Sequence, residues 1–143
     1  MSTESTPVAL TPGAVLPEWS LPLTPTLIVS TAIATRDFQD VHHDRDIAQA
    51  AGSKDIFMNI LTSTALVERY VTDHAGAGVD VRGISIRLGA PAYPYDTLRF
   101  TGEVVAVEDG VAELEVTGAV SLGDHVIGTV KVALPDAIPE DHA

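Results

Sequence analysis

The stretch DIFMNILTSTALVERYVTDHAG (55–76) decides the fold. After Asp55 its first three turns carry no charge, and the ionic residues Glu68, Arg69 and Asp73 are confined to its second half. Gly76 is a natural stop, because it can take the left-handed conformation that closes helices. The pattern predicts a helix of about 18 residues, roughly 27 Å long. A helix without charge around most of its circumference is normally enclosed by other structure. The chain must therefore supply a wrapper.

Everything after Gly76 reads as strand. VDVRGISIRL (79–88) comes first, with a bulge expected at Gly83, and TLRFTGEVVAV (97–107) sets Leu98, Phe100 and Val104 opposite Arg99, Thr101 and Glu103. VAELEVTGAV (111–120) and HVIGTVKVAL (125–134) complete the set, joined by EDG (108–110) and LGD (122–124), hairpin turns with a glycine available for positive φ. On the other side of the helix, TLIVSTAIAT (26–35) is β-branched and apolar on both faces, which predicts a buried strand. One strand, one buried helix and four long antiparallel strands give an α+β chain in which a curved sheet wraps a long central helix. That is a single hotdog fold. Its open sheet edge and uncovered helix face call for pairing into a double hotdog.

Pro7, Pro12, Pro17, Pro22 and Pro25 punctuate the first 25 residues and favour extended chain. The expected division is a flexible N-terminal tail over 1–14, a hotdog domain over 15–135 and a C-terminal tail over 136–143.

With 143 residues and 45% hydrophobic content the chain can bury the core of one domain. Its 8 basic and 20 acidic residues give a net charge of −12, which repels nucleic acid and anionic membrane surfaces. The absence of cysteine excludes disulfides, Cys-ligated metals and thiol nucleophiles. Glu4 stands where a secretory signal would carry Lys or Arg, and no apolar run approaches the ~20 residues that span a bilayer. A cytoplasmic location is expected.

The chemistry is concentrated in RDFQDVHHDRD (36–46), which holds four aspartates, two histidines and two arginines. Asp37 alone reads as a turn residue closing the preceding element. Paired with His42 it reads differently, because a carboxylate and an imidazole flanking one water can perform two proton transfers. Irregular chain can fold both side chains into one cavity, whereas on a regular strand residues i and i+5 face opposite ways. His43 is expected to face solvent, and Asp44 to cap a short helix through Ile47, Ala48 and Ala51. Asp40, His42, His43, Asp44 and Asp46 match no closed zinc spacing, so no metal is expected. Tyr93 and Tyr95 in APAYPYDTL (90–98) fit a proline-rich corner as well as a ligand groove.

The segment DFQDVHHDRDIA resembles the hydratase motif of MaoC-like, (R)-specific enoyl-CoA hydratases, with Asp37, His42, Asp44 and Ala48 at the motif positions. The usual Asn-Pro pair is replaced by Gln39-Asp40. In that detail, and in SKDIF (53–57) and NILT (59–62), the chain is most similar to the small subunit of heteromeric steroid-side-chain enoyl-CoA hydratases of actinobacteria. The similarity runs from about Val15 to Leu134.

The resemblance implies that the chain adds water across the 2,3 double bond of a bulky, steroid-derived enoyl-CoA in steroid or cholesterol degradation. Asp37 and His42 would be catalytic, with no cofactor, since the substrate itself is the CoA thioester. The family's usual oxyanion donor, a Gly N–H before Met-Leu-Thr, aligns with the backbone N–H of Asn59, where a helix start favours negative charge. The eight basic residues form no cluster for CoA phosphates. Another subunit is therefore expected to supply part of the CoA site, and the resemblance implies that it is a second MaoC-like chain, in a heterotetramer of two heterodimers, although a homodimer is the simpler physical default. The alternatives are a hotdog acyl-CoA thioesterase and a non-catalytic structural subunit.

Overall fold

In a computed structural model of the chain, residues 6–139 are described. The element order is β1 (Val15–Pro22), α1 (Pro25–Ala34), α2 (Arg45–Ala50), α3 (Ile60–Ala75), β2 (Asp80–Leu88), β3 (Thr97–Glu108), β4 (Val111–Val120) and β5 (Gly123–Ala133). Short 3-10 turns occur at Asp40–His42 and Pro135–Ala137. The five strands form one antiparallel sheet in the order β1-β3-β4-β5-β2, wrapped around α3. The hotdog fold is as expected.

The strand predicted over 26–35 is a helix instead. Thr24 caps α1 by accepting the Leu27 N–H at 3.0 Å, and Pro25 occupies its first position with φ already set for helix. Thr31 and Thr35 satisfy their hydroxyls on carbonyls one turn back, at 2.7 and 2.8 Å, so β-branching is tolerated. Only Ile28 and Ala32, one turn apart, are fully buried on it. The first strand lies earlier, in VLPEWSLP. Its prolines are admissible because β1 is an edge strand, and Pro17 falls at the register shift between Leu16 and Trp19.

Of the expected N-terminal tail, 1–5 lie outside the described residues, and residues 8–14 are bonded to the domain. The Val8 N–H donates to His74 O at 2.8 Å, the Gly13 N–H to Val104 O at 2.8 Å, and Leu10 is buried in the core. Of the expected C-terminal tail, 140–143 lie outside the described residues.

Helix α3 begins at Ile60, later than expected, because Asn59 caps it and residues 55–59 run irregularly into the cap. That run is tied down by Phe57 N–H to Val41 O at 3.3 Å and Met58 N–H to Ala92 O at 3.0 Å. The buried face of α3 carries Leu66, Val67, Tyr70 and Val71 against Phe100, Val104, Leu114 and Val130 of the sheet. Tyr70 stacks on Phe100 at 5.5 Å and Phe100 on Trp19 at 5.3 Å, while the Tyr70 hydroxyl donates to Pro17 O at 2.7 Å. Burial, with the charge of Glu18 adding to it, pushes the Tyr70 phenol up to about 12. Gly102 makes this approach possible, since a Cβ there would sit 3.1 Å from the Tyr70 ring.

The sheet encloses only one face of α3. Ile60 and Leu61, in its first turn, are each 51% exposed. The bulge expected near Gly83 is present, as a register shift between Val81 and Gly83 against β5. No helix among the described residues is long and apolar enough to cross a membrane.

Candidate active site

Asp37 is positioned by the end of α1. The Arg36 N–H donates to Ile33 O at 3.0 Å and the Asp37 N–H to Ala32 O at 2.9 Å, the paired bonds of a Schellman stop. Arg36 holds the left-handed position of that stop with φ 56°, where glycine is usual. The chain therefore turns sharply between the helix and the carboxylate.

His42 closes the 3-10 turn that follows, and its ring is buried. Its Nδ1 lies 2.7 Å from Phe57 O, and because a carbonyl only accepts, Nδ1 must carry the proton. In the neutral ring Nε2 is then the basic nitrogen. It lies 3.3 Å from Asp37 Oδ2, so the structure brings together the two residues that the sequence paired.

Asn59, buried between them and α3, uses both ends of its amide. Its Oδ1 accepts from the Thr62 N–H at 3.2 Å and from the Thr62 hydroxyl. Its Nδ2 donates to Thr35 Oγ1 at 2.8 Å and to Asp37 Oδ2 at 3.2 Å. The backbone N–H of Asn59, the expected oxyanion donor, has no acceptor among the described residues.

Asp37, His42, Met58, Asn59, Ala90 and His125 all line one cavity of about 360 Å³. The chemistry available there is a basic imidazole nitrogen, a carboxylate and helix-end N–H groups around a part-apolar wall. Proton transfer beside a developing oxyanion is what such a set can perform.

His125 and Ser63 escaped the sequence reading. His125 Nδ1 lies 2.7 Å from Ala90 O and must donate to it, which leaves Nε2 to accept the Ser63 hydroxyl at 2.8 Å. Burial pushes the imidazole below its usual 6.5 and favours the neutral form. Strand alternation gave no signal, because His125 lies near the start of β5 at the register shift, the unpaired residue between Asp124 opposite Ala119 and Val126 opposite Gly118.

The remaining charges of 36–46 disperse. His43 is 3.5 Å from Asp40, and Asp44 caps α2 through the Ile47 N–H at 3.2 Å, as expected. Among the described residues no three His, Cys, Asp or Glu side chains converge as a metal site. Tyr93 and Tyr95 line a different cavity, with Lys54 lying over the Tyr93 ring at 5.8 Å.

The MaoC like domain matches residues 9–125. The chain is 61% identical over 125 residues to the 3-oxo-4,17-pregnadiene-20-carboxyl-CoA hydratase beta subunit of Mycobacterium tuberculosis, covering 87% of this chain and 97% of that protein. The crystal structure of the ChsH1-ChsH2 complex from the same organism contains a chain 60% identical, with a TM-score of 0.85, covering 87% of this chain and 98% of that one. The (R)-hydratase from A. caviae involved in PHA biosynthesis superposes with a TM-score of 0.81 at 21% identity, over 89% of this chain and 98% of the other, a likeness of fold.

Proposed function

The chain belongs to the MaoC-like domain family, and from that premise we infer that it is an enoyl-CoA hydratase subunit whose acid–base pair is Asp37 and His42. The observation that carries this reading is the 3.3 Å approach of Asp37 Oδ2 to His42 Nε2 on the wall of a cavity that also holds the start of α3.

Hydration breaks the π bond between Cα and Cβ, joins the water oxygen to Cβ and a proton to Cα, and consumes one water. The pair accepts one proton as the water attacks Cβ. The displaced electrons run through Cα to the thioester oxygen, where the Asn59 N–H and the positive end of α3 stabilise them. The pair then returns a proton to Cα and is restored. His42 is the proton carrier in this reading, since Nδ1 is committed to Phe57 O and Nε2 is the ring atom that can load and unload. Asp37 stabilises the imidazolium while it exists.

The relative named as a steroid-type CoA hydratase subunit supports a bulky ring-bearing acyl group and a place in steroid degradation. The chain works with a second, MaoC-like subunit in this reading, which the similar chain of the ChsH1-ChsH2 complex supports. The half-exposed Ile60 and Leu61 and the outer edge of β2, whose only ladder partner among the described residues is β5, fit that contact. Arg45, Arg69, Arg82 and Arg99 each lie within 4 Å of a carboxylate of this chain, at 3.7, 3.3, 3.4 and 3.9 Å. With half of the eight basic residues beside carboxylates, charge for the CoA phosphates is proposed to come from the partner as well. A heterotetramer of two heterodimers in the cytoplasm completes the proposal.

The test is turnover of a steroid enoyl-CoA by the co-expressed complex. Loss of the conjugated chromophore without free thiol is hydration; release of thiol would mean hydrolysis and would overturn the reading.

A further inference from the structure

We propose that Asn59 is a positioning residue for Asp37, clamping the reactive carboxylate to the same helix end that receives the thioester oxygen. The proposal rests on the acid–base reading of Asp37 and His42.

The orientation of the Asn59 amide follows from its neighbours. On one side stand two donors, the Thr62 N–H at 3.2 Å and the Thr62 hydroxyl, so that side must be the carbonyl oxygen. The other side must be the NH₂, facing Thr35 Oγ1 at 2.8 Å and Asp37 Oδ2 at 3.2 Å. Thr35 can accept because its own proton goes to Thr31 O at 2.8 Å. Both donors and both acceptor sites of the amide are used, and the residue is only 1% exposed. Inverting it would set oxygen against carboxylate and NH₂ against N–H. The buried network therefore holds a single arrangement.

Asp37 needs such a hold. Its side chain remains 21% exposed, at the end of a helix stop, and among the described residues its other oxygen has only the Gln39 N–H, at 3.4 Å. Oδ2 is held by the amide, and His42 Nε2, 3.3 Å from the same oxygen, bonds to it only when the ring carries its second proton. The residue that clamps Oδ2 also carries the backbone N–H assigned to the thioester oxygen. One side chain thus sets the distance between the proton-transfer pair and the oxyanion donor, a distance on which turnover depends steeply.

Two substitutions in the assembled complex separate this role from simple helix capping. Asn59→Ser keeps a capping hydroxyl and the backbone N–H but loses the reach to Asp37. Asn59→Asp keeps the cap and the shape but opposes two carboxylates. The expected result is a fall in kcat of about 10- to 100-fold for Asn59→Ser, and a larger one for Asn59→Asp. The Kd for a saturated acyl-CoA, read by calorimetry, should stay within about threefold. In an Asp37→Asn background, Asn59→Asp should cost no further activity, whereas a structural role would be additive. Full turnover of Asn59→Ser, or additive losses, with Asp37→Asn inactive, overturns the clamp and leaves the acid–base reading standing. Full turnover of Asp37→Asn overturns both. Should Asn59→Asp not assemble, Asn59→Ser decides alone.

Discussion

His42 donates Nδ1–H to the carbonyl oxygen of Phe57 at 2.7 Å, a bond between a turn and the segment leading into α3. It fixes both the tautomer and the plane of the ring, so Nε2 has one place to be. Asp37→Asn and His42→Ala should each lower hydration turnover by at least about 100-fold in the assembled complex, with helix content by circular dichroism unchanged. Wild-type turnover in either variant would remove these residues from the chemistry.

Stability should fall at high pH through Tyr70. Its phenol ionises near 10.0 in the unfolded chain and at about 12 in the folded one. The protonated form is thus favoured by folding, and this contribution is complete below the unfolded value and lost as pH rises through the folded one. Melting temperature measured across that window should drop less steeply in Tyr70→Phe than in the parent.

His125 acts in the opposite direction. Burial holds it below its ordinary 6.5, so the unfolded chain takes up a proton that the folded chain refuses. Its contribution is present above that value and declines as pH falls below it. His125→Asn, which can still donate to Ala90 O, should show lower stability at neutral pH and a flatter acid limb. An unchanged limb would place the acid sensitivity elsewhere.

Leu10→Ala should destabilise the chain by about 2 kcal/mol or more, the cost of emptying a buried leucine site. Deletion of 1–12 should do so too, since it also removes the Val8 bond to His74 O. Denaturant midpoints check both.

Leu61→Asp should leave the unfolding free energy of the isolated chain within about 0.5 kcal/mol of the parent, because the residue is half-exposed there. Mass measurement of the co-expressed complex should then show dissociation. An intact assembly would move the interface away from the first turn of α3.

The four long strands were legible because their alternation and hairpin glycines are local signals, and Asp109 and Gly110 indeed take positive φ at 50° and 75°. TLIVSTAIAT misleads because β-branching speaks for a strand, whereas the signals for a helix, the cap at Thr24 and the proline at N1, lie just before it in a proline-punctuated stretch that favours extended chain. Asp37 and His42 were found as a pair of residue types at a spacing. The side chain of Asn59 was not, because its value lies in reaching Thr35 and Asp37, 24 and 22 positions away, and no local pattern encodes that distance. The same holds for Ser63 and His125, separated by 62 positions.

The mounting of Asp37 on Ala32, Arg36 and Asn59 bears on transplantation. Grafting only the charged loop onto another helix-in-sheet scaffold would carry the reactive groups without their fixtures. The smallest portable unit runs from Thr24, which starts α1, to Ser63, which ties α3 to β5. It must also land where a strand presents an imidazole to that serine.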